Sequence, residues 1–189
     1  LVDKAAETMK TLSYYHQFGS KAHEPGIDLA ERLIELAPVP MSKAFFTNSG
    51  SEANDTVVKI VWYYNNAIGR PEKKKIIGRE KAYHGITIAA GSVTGQPGNH
   101  AGFDLPIAGF LHADCPHYAR MAEDDESEQD FATRMADNLE SIIIEEGPDT
   151  VAAFFAEPVM GAGGVLLPPD TYFEKIQAVL KKHDVLLVA

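Results

Sequence analysis

The sequence predicts an α/β domain with a mostly parallel sheet and helices on both faces. Three observations predict it. Short, nearly continuous apolar runs recur along the chain, as strands covered on both faces require. Stretches with apolar residues at helical spacing lie between several of those runs. The 189 residues, 45% of them hydrophobic, suffice for one sizeable core.

The elements follow in order. A helix is expected over Ala5 to Leu12, and a second over Ile27 to Ala37. In the second, Leu29, Leu33 and Leu36 share a face, and Pro38 and Pro40 stop it. Strands are expected at Lys43–Thr47, Lys75–Arg79, Gly109–His112, Val151–Ala156 and Val185–Ala189. A helix beginning near Ser49 places Ala53, Val57, Ile60, Val61, Tyr64 and Ile68 at helical spacing. Another, from about Asp130 to Glu145, buries Phe131, Met135, Leu139, Ile142 and Ile143. The last, from about Thr171 to His183, carries Phe173, Ile176 and Leu180. Ser49-x-x-Glu52 and Thr171-x-x-Glu174 read as capping boxes. Glu123 to Asp130, with six acids in eight residues, is an exposed approach to a helix N-terminus.

Charge and composition exclude several classes. The net charge of −10 and the lack of a basic stripe argue against nucleic acid. Lys73-Lys74-Lys75 abuts Ile76-Ile77 and reads as a solvated strand entry. Cys115 is the only cysteine, so no internal disulfide forms and a reducing compartment fits. No apolar run reaches membrane-spanning length, so no membrane partner is expected. The first residues, Asp3 and Glu7 among them, do not resemble a signal peptide. A cytoplasmic protein is expected. The chain opens on Leu1 inside a helical pattern and stops in a buried-strand pattern at Ala189, so it reads as a fragment of a longer protein.

The chemistry gathers after the strands. Ligands of open α/β sheets bind beyond the carboxyl ends of the strands. Ser49-Gly50-Ser51 follows the first expected strand, Tyr83-His84-Gly85 the second, Asp114 and Cys115 the third, and Glu157-Pro158 the fourth. A helix N-terminus with free N–H groups and a glycine suits a phosphate. The local pattern equally suits a well-capped crossover helix with no ligand. With an aromatic ring and a carboxylate on the same rim, the set fits a flat, phosphorylated heteroaromatic ligand. Gly161-Ala162-Gly163-Gly164 lacks the third glycine of a dinucleotide loop, at Leu166. His112 to His117 contains a set of possible metal ligands, but Pro116, His117 and Tyr118 also fit an ordinary loop, and no metal is expected.

The sequence Thr47-Asn48-Ser49-Gly50-Ser51-Glu52-Ala53-Asn54, with Tyr83-His84-Gly85 and Ala156-Glu157-Pro158-Val159-Met160-Gly161-Ala162-Gly163-Gly164, resembles the motifs of class III aminotransferases, in family order. These are enzymes of fold type I that use pyridoxal 5'-phosphate (PLP). The resemblance implies a helical segment at 1–40 leading into an incomplete cofactor-binding large domain at 41–189. It implies that Ser49, Gly50 and Ser51 take the PLP phosphate, that Tyr83 stacks on the ring, and that His84 supports that turn. Glu157 would lie near the ring's phenolic oxygen or the aspartate serving its nitrogen, and Asn54 would support the site.

The resemblance also implies an amine or amino-acid donor, a 2-oxo acid acceptor and a homodimer. Ala162 stands where relatives using 2-oxoglutarate often carry a Glu, so the chain is similar to ω-aminotransferases that favour pyruvate. Tyr14 and Phe18, in Tyr14-Tyr15-His16-Gln17-Phe18, fall where such enzymes place substrate-pocket aromatics. The same aromatics also suit helix packing or a subunit interface. By the same resemblance the small domain, the pyridine-nitrogen aspartate and the catalytic lysine lie beyond Ala189, and this polypeptide alone is expected to be inactive. An aminomutase, a decarboxylase and a non-catalytic phosphate- or partner-binding module are the alternatives.

Overall fold

The computed structural model describes residues 1–189, in two compact units, Leu1–Phe46 and Thr47–Ala189. The first unit holds α1 (Val2–Thr11) and α2 (Glu24–Leu36). α2 starts three residues before the expected Ile27, because His23 caps it: its Nδ1 accepts the Gly26 N–H at 3.2 Å, and Pro25 fills the first turn. Leu29, Leu33 and Leu36 do share a face, and all three are exposed. The strand expected at Lys43–Thr47 does not form. An apolar run becomes a strand only where a neighbour takes its backbone hydrogen bonds; none of the four strands pairs with these residues, and Phe45 is 73% exposed.

The second unit contains α3 (Gly50–Ala67), β1 (Lys75–Arg79), α4 (Ile88–Val93), β2 (Phe110–Ala113), α5 (Tyr118–Met121), α6 (Glu128–Glu146), β3 (Val151–Phe155), α7 (Tyr172–Lys182) and β4 (Leu186–Val188). The sheet order is β2-β1-β3-β4 and every pairing is parallel. Successive strand residues point to opposite faces. Ile77 and Phe154 therefore meet Phe131, Met135, Leu139 and Ile143 of α6 and Ile176 and Leu180 of α7. Their neighbours Ile76, Ala153 and Phe155 meet Val58 and Val61 of α3 and Val93 of α4. Helices thus cover both faces, as the sequence predicts.

The capping residues set the helix starts. Ser127 Oγ accepts the Asp130 N–H at 3.1 Å, which begins α6 two residues before the expected Asp130. The box expected at Thr171 is not made. Thr171 has helical dihedrals and its buried Oγ1 finds no partner. The short helices α4 and α5 were not expected. α4 approaches the sheet closely: a Cβ on Gly78 of β1 would lie 2.3 Å from the Val93 carbonyl oxygen.

Candidate functional site

The carboxyl ends of β1 and β3 and the N-terminus of α3 converge within the second unit. At α3, Ser49 Oγ accepts the Glu52 N–H at 3.2 Å, and the Ala53 N–H goes to the Ser49 carbonyl. Glu52 answers one residue earlier than a standard capping box: its Oε2 accepts the Asn48 N–H at 2.8 Å and the Asn48 side-chain amide at 3.2 Å. The N–H groups of Gly50 and Ser51 remain without a protein acceptor. A Cβ on Gly50 would meet no atom within 4 Å, so the approach to these two amides is open.

Three ties hold the Tyr83-His84-Gly85 loop against that helix. Asn54 Nδ2 donates to the His84 carbonyl at 2.6 Å. Ser51 Oγ accepts the Ile86 N–H at 3.1 Å, which leaves its own proton to donate. Asp55 Oδ1 accepts from Thr87 Oγ1 at 2.7 Å and from the Ala90 N–H at 2.9 Å. From the other side Thr94 Oγ1 accepts the His84 N–H at 2.9 Å. Gly85 is required here: its φ is +133°, and an added Cβ would fall 2.5 Å from Ser51 Oγ.

Glu157 joins this loop to the turn after β3. One carboxylate oxygen accepts the Tyr83 N–H at 3.1 Å and the other the Gly161 N–H at 3.0 Å. Both oxygens thus hold backbone in place. A cavity of about 330 Å³ opens over Asn54, Tyr83, His84 and Glu157, with Pro158 and Val159 on its wall. Of the expected residues, Ser51, Tyr83, His84 and Glu157 come together, with Ser49 and Gly50 at the same helix end. Tyr14 and Phe18 belong to the first unit, where they are 88% and 81% exposed. Asp114 and Cys115 are held elsewhere: Asn138 takes the Asp114 N–H, and Cys115 is packed with Ala82 and Met160. No group of three or more His, Cys, Asp or Glu side chains is placed to hold a metal ion.

The residues fit a phosphate-bearing flat ring. Two free amides and a hydroxyl suit the phosphate, and a half-exposed tyrosine suits the ring face. His84 Nε2 is buried without a protein partner. Sequence reasoning missed Asp55, Thr94 and Arg79. Only Arg79 carried a signal, as a charge closing the otherwise apolar Ile76-Ile77-Gly78.

The His84 ring packs edge-on to Phe155, with centroids 6.0 Å apart. Burial pushes its pKa from 6.5 down to about 4, partly opposed by the Glu157 carboxylate. The unfolded imidazole takes a proton near 6.5 and the folded one only near 4. Between those values the unfolded chain holds more protons, so acid favours unfolding. Between pH 7 and about pH 4 the wild type should lose about 3 kcal/mol more stability than His84→Gln, measured by urea denaturation. Parallel pH curves for the two proteins would remove His84 from that role.

The fold and the rim together define a parallel α/β domain that presents free backbone amides at one helix N-terminus. Comparison with known proteins identifies the family. The family model for class III aminotransferases matches residues 1–189. The chain is 58% identical over 190 residues to gamma aminobutyrate transaminase 1, mitochondrial, of Solanum lycopersicum, covering 100% of the chain and 37% of that relative. It is 58% identical to a probable gamma-aminobutyrate transaminase 2, mitochondrial, of Oryza sativa subsp. japonica, covering 100% of the chain and 38% of the relative. The omega transaminase of Pseudomonas jessenii in complex with PMP superposes with a TM-score of 0.97 at 61% identity, over 100% of this chain and 42% of that one. The chain belongs to the class III aminotransferases, a family of PLP-dependent proteins. It spans well under half the length of these relatives.

Proposed function

We propose that this chain supplies the phosphate- and ring-binding part of a PLP site. The protein would move an amino group from an ω-amino acid or amine to a 2-oxo acid such as pyruvate. The observation that carries this reading is the tying of three motifs into one hydrogen-bonded rim. The free amides of Gly50 and Ser51, the Tyr83 loop and the Glu157 carboxylate are linked through Ser51, Asn54 and Glu157.

When bound, PLP supplies an electron sink for the amino-group transfer. The chain's residues do the holding. Gly50 and Ser51 donate to the phosphate, assisted by the positive end of an 18-residue helix. Ser49 fixes that helix start. Tyr83 offers its ring face, and its amide is anchored on Glu157 so that the face does not drift. His84, uncharged at neutral pH, supports the same turn without placing a cation beside the cofactor.

Ala162 in the Gly161 turn supports a pyruvate-type acceptor. Tyr14 and Phe18 are assigned to the substrate pocket as part of this proposal, as exposed aromatics on a loop. A homodimer belongs to the same proposal; the exposed Ile60 and Tyr63 of α3, with Ile68 just past its end, offer apolar surface to a second copy. A cytoplasmic setting is part of the same proposal, supported by the single free Cys115, which suits a reducing compartment; the plant relatives are named as mitochondrial or chloroplastic. The relatives are named transaminases, which lends nothing to the aminomutase, decarboxylase or non-catalytic readings.

No lysine lines the cavity. Lys73, Lys74 and Lys75 are tied at the entry to β1, to the carbonyls of His183, Asp184 and Trp62 and to Glu146. The 189-residue polypeptide should therefore bind PLP reversibly and show no transaminase turnover. Equilibrium dialysis with PLP, followed by borohydride reduction and mass measurement, tests both parts. Failure to retain PLP would refute the site. A reduced PLP adduct on a lysine of this polypeptide would refute the expectation about its lysines.

A further inference from the structure

Arg79 closes β1 and is entirely buried. Its Nη2 donates to the Glu157 carbonyl at 2.6 Å, and its guanidinium carbon lies 5.8 Å from the centroid of the Tyr172 ring. Nε and Nη1 have no partner, and Arg79 takes part in none of the chain's salt bridges. Holding a cation inside a fold on one carbonyl and one ring is costly. An apolar side chain would fill the end of a buried strand more cheaply. What the arginine gains is a hold on one peptide group, and that peptide belongs to Glu157.

Glu157 is thus gripped at both ends. Arg79 takes its main-chain oxygen, while its carboxylate receives the Tyr83 and Gly161 amides. A shift of the Glu157 backbone moves the carboxylate, and with it the amide that sets Tyr83. The Arg79 guanidinium carbon lies over the Tyr172 ring, and arginine's planar fork fixes a donor direction better than a flexible ammonium does.

We propose that Arg79 is a positioning residue for the cofactor site: by fixing the Glu157 peptide it sets the carboxylate that anchors the Tyr83 amide and ring. The proposal rests on the reading of this rim as a PLP site. The contact runs beneath the rim and touches no ligand, so its effect reaches PLP only through Glu157.

The test measures PLP affinity by equilibrium dialysis and hydrogen exchange at the Tyr83 and Gly161 amides. Arg79→Met should weaken PLP binding about tenfold, equivalent to about 1.4 kcal/mol, and speed exchange at both amides. Arg79→Lys should recover at least about half of that loss on the logarithmic scale, since it keeps a donor and the charge. In a Glu157→Ala background, adding Arg79→Met should cost less than about twofold more. A folded Arg79→Met protein with wild-type PLP affinity overturns the proposal, as does a full tenfold effect in the Glu157→Ala background. Should Arg79→Met fail to fold, Arg79→Gln replaces it with the same expectation and the same refuting outcomes. Wild-type protein that takes up no PLP overturns the site reading and this proposal together. Wild-type uptake with an unaffected Arg79 variant overturns only the role of Arg79.

Discussion

Gly85→Ala should unfold much of the site and abolish PLP binding. The residue sits at φ +133°, outside the regions open to side-chain-bearing residues. Strain of that kind costs about 1–3 kcal/mol. The new methyl group would also fall 2.9 Å from both Ser51 Cα and Ala90 Cβ, neither of which can rotate away. Overpacking of that order adds about 1–3 kcal/mol. The combined loss should be about 2–6 kcal/mol by urea denaturation, and PLP affinity should fall more than about a hundredfold. Gly50→Ala is the informative partner. Its Cβ meets nothing, so stability should stay within about 0.5 kcal/mol of wild type. A methyl group beside the free amides should nonetheless weaken PLP binding about tenfold. Equal PLP affinity in Gly50→Ala and wild type would place the phosphate elsewhere.

Glu157→Ala has the second-largest expected effect. It strips the acceptors from the Tyr83 and Gly161 amides at once. Both bonds are exposed, so water takes over the freed amides and the stability loss should be only about 0.5–1.5 kcal/mol per bond. PLP affinity should drop about tenfold or more, because the Tyr83 ring loses the anchor of its backbone. Glu157→Gln should recover only part of the loss: its amide group turns a donor toward one of two donors. Dialysis against PLP and the urea midpoint report the two effects separately. If Glu157→Gln binds PLP as wild type does, the charge and the second acceptor are dispensable, and the anchoring role fails.

How far the sequence showed all this depends on how each element is held. β1 and β3 were legible because burial on both faces leaves apolar runs, Ile76-Ile77 and Val151 to Phe155. α3 and α6 were legible through long apolar stripes, and α3 also through its Ser49 cap; the Ser127 cap went unread, so α6 starts two residues earlier than expected. α4 was not: Ala89, Ala90, Gly91 and Ser92 are small, and a six-residue helix gives no period to read. Residues 43–47 show the converse error, since Ala44-Phe45-Phe46 has the composition of a strand but lacks the ladder that makes one.

The same division runs through the site. Ser49, Gly50, Ser51, Tyr83 and Glu157 were visible as motifs that end strands or begin helices. Arg79 and Asp55 act through bonds between distant segments, 78 residues apart for Arg79 and Glu157, and Thr94 through a bond across the loop to His84. No local pattern encodes those partners. Thr171 failed as a cap for a related reason: the spacing to Glu174 was right, but its backbone is already helical.

The strand order has a consequence for how the polypeptide is made. β1 lies between β2 and β3, yet β3 emerges from the ribosome only after the whole of α6. At ordinary synthesis rates that gap lasts roughly seconds. Throughout it, one edge of Ile76-Ile77 is bare on a nascent parallel pair, and such edges recruit foreign strands. The acidic run ahead of α6 is translated in that interval. Its like charges keep that stretch of the growing chain in water until β3 arrives to close the edge.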